Sequence, residues 1–516
     1  MPESFDLVFE PWIPCIMATG ETIELGLLET LTRAPDILEV YDPSPTVTAA
    51  LHRLLLAILH RNFGPKNVQE WEDMWALGRW DEGVLASYFE RWRDRFDLFH
   101  HERPFYQAPG LPHKPVAATV LAPEMAHGNN PTLFDHACDD APRAFSPASA
   151  ARLLVACQAF HLGGLISRVQ GEPPSAPAAP LAGGAVILFQ GDDLFRTLML
   201  NLIPYDGSQQ PWSGQKDDAP AWELDGADYR PRAPAGYLDY LTWQSRRIWL
   251  LPEREDGRIV VRAVAIASGR HFPRGYFLVD PQFAYRKNPA KNPRPGDPPW
   301  RPLRFSLGRA LWRDSTALLA AETDSERPPR ARDWLSELTA RRKLDRSARH
   351  RVAVLGLCSD RAKVHFWRRE WMPVPASYLV DKELVGNLQR MLQLSEDVGA
   401  SLQAALRALV GAAVEVGPGR QRESRGETIL VAGESRYWGS LEVPFYELLE
   451  GLPNNAHSAM SRWARILVDE ALDAYDQALR GLDESVRFLR DAVRIRAELE
   501  GRLWVYCKPF EEVASG

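Results

Sequence analysis

Two clusters in the chain have the residue types for bond chemistry. Asp135-His136 followed by Asp139-Asp140 groups carboxylates with an imidazole, the donors a hydrolytic metal centre or an acid/base pair would use. No second His or Cys stands at ligand spacing, so the segment reads first as an ordered acidic loop. His100-His101 beside Glu102 is weaker still, because adjacent histidines on one element point apart. The motifs that support hydrolysis are missing: there is no GxxxxGK[ST] phosphate loop, no GxSxG elbow and no HExxH helix. Cys15, Cys138, Cys157, Cys358 and Cys507 are scattered without CxxC spacing, which argues against a zinc site and a disulfide framework and fits a reducing compartment. The sequence points away from an enzyme and from a bound metal or cofactor.

Recognition chemistry is better represented. Residues 352–375 read as strand, turn and strand: an apolar limb from Val352 to Leu357, a polar turn at 359–363, and a second limb starting Val364-His365-Phe366-Trp367. Arg361 and Lys363 at the turn would be two cations on a rigid support. Three further basic features stand elsewhere: a run from Arg327 to Arg351, a loop with Arg420, Arg422 and Arg425, and Arg487, Arg490 and Arg494 at i, i+3, i+7 on the last helix. A solvated turn or helix face explains each by itself. Together, on a chain of net charge −7, they suit a protein that touches nucleic acid at discrete places.

The elements that would hold these residues follow from periodicity. The 516 residues are enough for several cores, and 17 tryptophans suggest extensive cores or partner surfaces. Residues 5–10 alternate with period two and read as a strand ended by Pro11-Trp12-Ile13-Pro14. A helix is predicted over 46–63 and helix continues over 68–98. Residues 107–147 are loop-like, 149–162 return to helix, and 172–184 and 288–302 are Pro-rich connections. Residues 188–204 and 238–262 carry mixed signals. After Pro375 the pattern becomes helical over 378–414, 443–452 and 458–482, and a last helix starts at Asp483-Glu484 with Val486, Leu489, Val493 (with Ala492) and Leu499 facing inward. The fold class is therefore α+β: a large, irregular mixed α/β N-terminal domain (1–375) followed by a C-terminal four-helix bundle (376–516). The start of the chain lacks the cationic and apolar regions of a signal peptide, and no apolar run approaches ~18 residues, so a cytoplasmic protein without a membrane span is expected.

Pieces spread along the chain resemble one known family, the CasA-type large subunit of the type I-E CRISPR surveillance complex Cascade. They are the opening strand with Pro11 to Pro14, residues 101–107, 130–136, 200–203 with 210–212, 241–244, 354–364 and 434–438, in the family's order. The resemblance implies a non-catalytic subunit of a ribonucleoprotein that works with the other Cascade subunits and the crRNA. It implies recognition of the protospacer-adjacent motif (PAM) of double-stranded DNA from the minor groove, duplex opening for R-loop formation, and recruitment of a helicase-nuclease. By the same resemblance, Gly356 matches a loop glycine, and Asp360, Arg361 and Ala362, with Lys363 beside them, match a duplex-splitting tip whose usual triplet is Asn-Gln-Ala. Phe134, Asp135 and His136 fall on a PAM-proximal loop. Gln282 falls where relatives carry a groove-reaching lysine, with Arg286 or Lys287 able to supply the charge. Some relatives have a zinc-suited cysteine cluster; this chain keeps only Cys138 in that region, so no metal is expected. The alternative is a scaffold subunit without direct DNA readout.

Overall fold

The computed structural model describes residues 3–122, 125, 143–166, 174–204, 218–225, 229–290, 297–306, 308–360, 363–414, 420–480, 482 and 486–510. The chain forms two compact units. The first takes Met1–Leu307, Glu322–Asp345 and His350–Trp371; the second takes Gly308–Ala321, Arg346–Arg349 and Met372–Gly516. The first is mixed helix and sheet, and the second is helical.

The first unit opens with a small antiparallel sheet in which β1 (Ile13–Met17) lies between β2 (Thr22–Leu25) and β3 (Ile37–Val40). The strand predicted over 5–10 is instead a turn. Asp6 Oδ1 accepts from the Val8 amide at 3.0 Å, and Trp12 Nε1 donates to the Leu7 carbonyl at 2.9 Å. An aspartate that bonds its own backbone two residues on favours a turn over a ladder. Strand pairing begins at Ile13.

Helix α1 (Pro45–Phe63) has every side chain from Pro45 to Leu59 buried, as a helix running through a core must. The helix predicted across 68–98 divides into α2 (Val68–Leu77) and α3 (Glu82–Arg91). Gly78 at φ +68° ends the first, and the Asp81 side chain caps the second by accepting from the Val84 amide. Next come α4 (Pro147–Phe160) and β4 (Ala185–Gln190). The mixed signals of 238–262 resolve into a short helix, Tyr237–Leu241, and a long hairpin of β5 (Arg246–Glu255) and β6 (Arg258–Ser268). Asp256 and Gly257 turn it at φ +49° and +78°, the geometry this dipeptide favours.

One hydrophobic core joins α1, α4 and β4 to β7 (Arg349–Asp360). Ala49, Phe160, Val186, Leu188, Leu355 and Leu357 pack there with Phe283 and Tyr285. Beside it His52 is 3% exposed, and its Nδ1 bonds the Thr48 carbonyl at 2.8 Å. Burial, with the Arg369 charge adding, lowers its pKa from 6.5 to about 4. The folded value lies below the unfolded one, so acid protonates the unfolded chain first, and stability is lost as pH falls below 6.5 toward 4. Denaturant titrations at pH 7.5 and pH 5 are expected to differ by about 2 kcal/mol from this residue, and a His52→Gln variant should lose that part of the pH slope.

The hairpin's second strand, β8 (Lys363–Pro375), leads into the helical unit. There α5 (Lys382–Val414) lies against α6 (Arg420–Ser440), α8 (Ala456–Arg480) and α9 (Val486–Cys507), with the short α7 (Glu442–Gly451) against α8. This is a C-terminal helical bundle, as expected, but its membership differs. The segment read as a basic loop is the start of α6, and α7 is a side element. Helix α6 has a buried face of Gly426, Gly433 and Tyr437. A Cβ on Gly426 would meet Val410 at 2.6 Å, and one on Gly433 would meet Leu406 at 2.7 Å, so the missing side chains let the backbone of α6 approach α5 closely. On α9 the buried stripe is Phe488, Ala492, Ile495, Leu499 and Leu503; Leu489 and Val493 are 41% and 66% exposed, one position around the helix from the expected face. Residues 308–321 join this unit because buried Trp312 stacks on Phe445 at 5.0 Å and Arg313 pairs with Glu396 at 2.8 Å.

Candidate nucleic-acid interface

The hairpin read from the sequence is present and runs longer than its expected limbs. Strand β7 is central in a three-stranded sheet with β4 on one side and β8 on the other. Val352 to Cys358 are all buried, and the β4 register runs from Arg351 opposite Gln190 to Gly356 opposite Ala185. Gly356 serves that pairing directly. A Cβ there would lie 3.0 Å from the Gly184 carbonyl oxygen and 3.3 Å from Ala185 Cα, both backbone atoms that cannot swing aside. Its role in this structure is close strand approach.

The base of the hairpin is braced by cations. Arg351 donates to Gln190 Oε1 at 2.7 Å and lies 3.6 Å from Glu39. Arg369 donates to the Asp42 carbonyl and to Thr48 Oγ1, each at 2.7 Å, and stacks 4.1 Å from the Tyr41 ring centroid. Such charge-assisted bonds fix the strand's direction. Strand β8 is the sheet edge, and its alternation leaves His365, Trp367 and Trp371 exposed on one face. The period of Val364 to Trp367, carried on to Pro375, puts Trp371 on the same face, a residue the sequence reading does not single out.

At the far end β7 finishes at Asp360 and β8 starts at Lys363. Arg361 and Ala362, and the side chains of Asp360 and Lys363, lie outside the described residues. So do Phe134, Asp135 and His136, together with Cys138, Asp139 and Asp140. Among the described residues no group of three or more His, Cys, Asp and Glu could hold a metal ion.

Gln282, placed at the groove by resemblance, has its side chain in the interior, 3% exposed. Arg53 Nη1 donates to its Oε1 and to Asp280 Oδ2, both at 2.9 Å, and Tyr240 donates its hydroxyl to the same Asp280 oxygen at 2.6 Å. Burial, and after it the Asp280 carboxylate, push the Tyr240 pKa well up, which keeps that hydroxyl a donor. A side chain used this way is not offered to DNA. Lys287, at the end of the short strand Tyr285–Lys287, is exposed.

The basic run at 327–351 is largely spent within the protein: Arg327 pairs with Glu322 at 2.8 Å, Arg332 with Asp333 at 3.2 Å, Arg341 with Glu337 at 2.7 Å, and Lys343 with Glu72 at 2.5 Å. On α9, Arg494 is flanked by Asp491 at 3.7 Å and Glu498 at 3.0 Å, while Arg490 is exposed. The side chains of Arg420, Arg422, Arg425 and Arg487 lie outside the described residues.

With this geometry in view, likeness to known proteins is decisive on ancestry. The family model described as CRISPR-associated protein Cse1 matches residues 6–474. The chain belongs to the Cse1 family. It is 34% identical over 495 residues to the CRISPR-associated protein CasA/Cse1 of Thermus thermophilus, with 92% of each chain covered. The crystal structure of Thermus thermophilus CasA superposes on this Cse1-family fold with a TM-score of 0.81 at 31% identity, covering 97% of this chain and 99% of that one. A chain of a CRISPR RNA-guided surveillance complex superposes with a TM-score of 0.79 at 25% identity, covering 96% and 100%. Among the described residues, no helix of this Cse1-family chain is long and apolar enough to cross a membrane.

Proposed function

We propose that this chain is the non-catalytic large subunit of a cytoplasmic, type I-E CRISPR surveillance complex, assembled with the other Cascade subunits and crRNA. It reads the PAM of double-stranded target DNA from the minor groove, drives the 352–375 hairpin into the duplex, and recruits a helicase-nuclease once the R-loop has formed. In this reading residues 1–375 recognise and open the DNA, and residues 376–516 contact DNA and partner proteins. The observation that carries it is the hairpin itself. Val352 to Cys358 are buried along its first strand, and its two strands are bounded by Asp360 and Lys363, with Arg361 between them in the sequence. A wedge must not yield when loaded, and this one is rooted in a hydrophobic core through Leu355 and Leu357.

Splitting base pairs costs about 1.4 kcal/mol per step. Arg361 can offset part of that by stacking on an unpaired base and meeting phosphate, with Lys363 adding charge. Phe134, Asp135 and His136 form the PAM-proximal loop in this reading, and Lys287 takes the groove contact that the interior position of Gln282 denies it. A minor-groove reader separates mainly A·T from G·C and so tolerates several motifs. Phe134→Ala is expected to weaken motif-dependent binding by about tenfold while the complex still assembles, as judged by gel-filtration and filter-binding on matched targets with and without the motif. Loss of assembly would make the loop a subunit contact instead.

The second reading, a scaffold without DNA readout, is favoured by the internal pairing of the 327–351 arginines. The salt dependence of DNA binding by the assembled complex with and without this chain separates the two: a reader adds to the slope, and a scaffold leaves it unchanged.

A further inference from the structure

The segments that carried the resemblance do not all serve the hairpin. Residues 101–107 and 241–244 meet around one cleft of about 490 Å³ in the first unit, a size typical of ligand sites. Four guanidinium groups line it, from Arg95, Arg103, Arg247 and Arg270, against the two carboxylates of Glu102 and Asp225. Arg270 is turned inward to Asp239 at 3.4 Å, so the carboxylate of Asp225 is met by the guanidinium groups of Arg95 and Arg103. Its floor is strained: Tyr106 sits at φ +57°, a conformation a bulky residue rarely adopts. The ring is held there by stacking on Phe105 at 4.4 Å and lies 6.0 Å from Trp222. Strain that the surroundings over-determine gathers at ligand sites.

At the mouth, one oxygen does double duty. Asp225 Oδ1 accepts from Arg95 Nη2 at 2.5 Å and lies 3.2 Å from Arg103 Nη1. The Asp225 side chain is 75% exposed, whereas that of Arg95 is 11% exposed. A solvent-facing carboxylate thus covers a mostly buried guanidinium. From this we infer that the cleft is a phosphate site, in which a phosphate monoester displaces Asp225 from Arg95 and Arg103.

Charge decides for phosphate over an acidic side chain of a partner. A visiting carboxylate would exchange like for like with a tethered one and gain nothing. A phosphate monoester carries about −1.5 to −2 and three strong acceptor oxygens, so it can meet Arg95 and Arg103 with separate oxygens where Asp225 offers both the same one. Among the described lining rings, Tyr106 and Trp222 are 6% and 3% exposed, and the part-buried Tyr229 has its ring occupied by Arg247 at 5.0 Å, which leaves little aromatic face for a base to stack on. The cleft therefore reads the phosphate and not the base, and the source is either the phosphorylated end of a nucleic-acid strand or free phosphate. Asp225 is a built-in competitor. The inference does not rest on the duplex-opening reading, because none of these residues belongs to the hairpin.

The test uses the full-length chain, titrated calorimetrically at fixed ionic strength with a 5′-phosphorylated oligonucleotide, its 5′-hydroxyl counterpart and inorganic phosphate. Binding by the phosphorylated strand alone assigns a strand end; equal binding by inorganic phosphate assigns the free anion. In either case Asp225→Asn is expected to tighten binding about fivefold and Arg103→Ala to weaken it about tenfold, with Arg103→Lys between wild type and alanine. Thermal unfolding of each variant checks that the fold is kept. The inference is overturned if neither phosphate form binds, if the 5′-hydroxyl strand binds as well as the phosphorylated one, or if Asp225→Asn fails to tighten binding in a folded protein.

Discussion

Asp280→Asn is expected to lower the stability of the first unit by about 3–5 kcal/mol, the largest single-residue effect anticipated here. Arg53 and Asp280 are buried, their side chains 4% and 2% exposed, and each is the other's counter-charge. Replacing the carboxylate leaves a guanidinium in the interior facing only neutral groups among those described: the new amide, Gln282 Oε1 and the Tyr240 ring, 4.9 Å to its centroid. Arg53→Met should cost a similar amount by stranding the carboxylate. The double variant should recover much of the loss, because it leaves no unpaired charge in the interior. Denaturant melts of the four proteins give the coupling energy directly. A double variant no better than the worse single would mean that the network holds shape through Tyr240 and Gln282 and not through charge.

Arg361→Ala is expected to slow opening of an intact duplex by about tenfold or more while leaving binding to a pre-opened target nearly unchanged. A stacked aromatic or guanidinium contact to an unpaired base is worth about 1–3 kcal/mol, and that contact is made only when the base pair breaks. The readout is the rate of permanganate reactivity or 2-aminopurine fluorescence in the target strand, with a mismatched bubble as control. Arg361→Gln, the residue usual at this tip in the family resembled, should retain most of the activity if stacking dominates, and lose it if charge does. Equal loss on intact and bubbled targets would remove the wedge role.

The hairpin was legible because both of its limbs obey short, local rules: an apolar run that must be buried, a polar turn, and a return to β-branched and aromatic residues. Its end at Pro375 agrees with the sequence, while its start lies earlier, at Arg349, because Arg349-His350-Arg351 carries no apolar signal. The C-terminal bundle was legible as a class through the stripes of α5 and α8. Helix α6 was not, because its contact face is built from glycine, which adds nothing to a hydrophobic pattern. Gln282 shows a different limit. Alignment by resemblance put it at the DNA, but its partner Arg53 stands 229 residues earlier, and no local pattern reveals a pairing at that range. The Asp256-Gly257 turn, by contrast, is a local signal that the residue types alone carry.

The outer strand of the hairpin has one more consequence. Thirteen residues of β8 form the edge of a sheet, and a long exposed edge is a template on which a second polypeptide can add a strand. This one is poorly suited to that. Arg368, Arg369 and Glu370 put charge along its middle, and Pro373 and Pro375 present no amide donors near its end. Copies of the chain should therefore not pair through this edge even at high concentration.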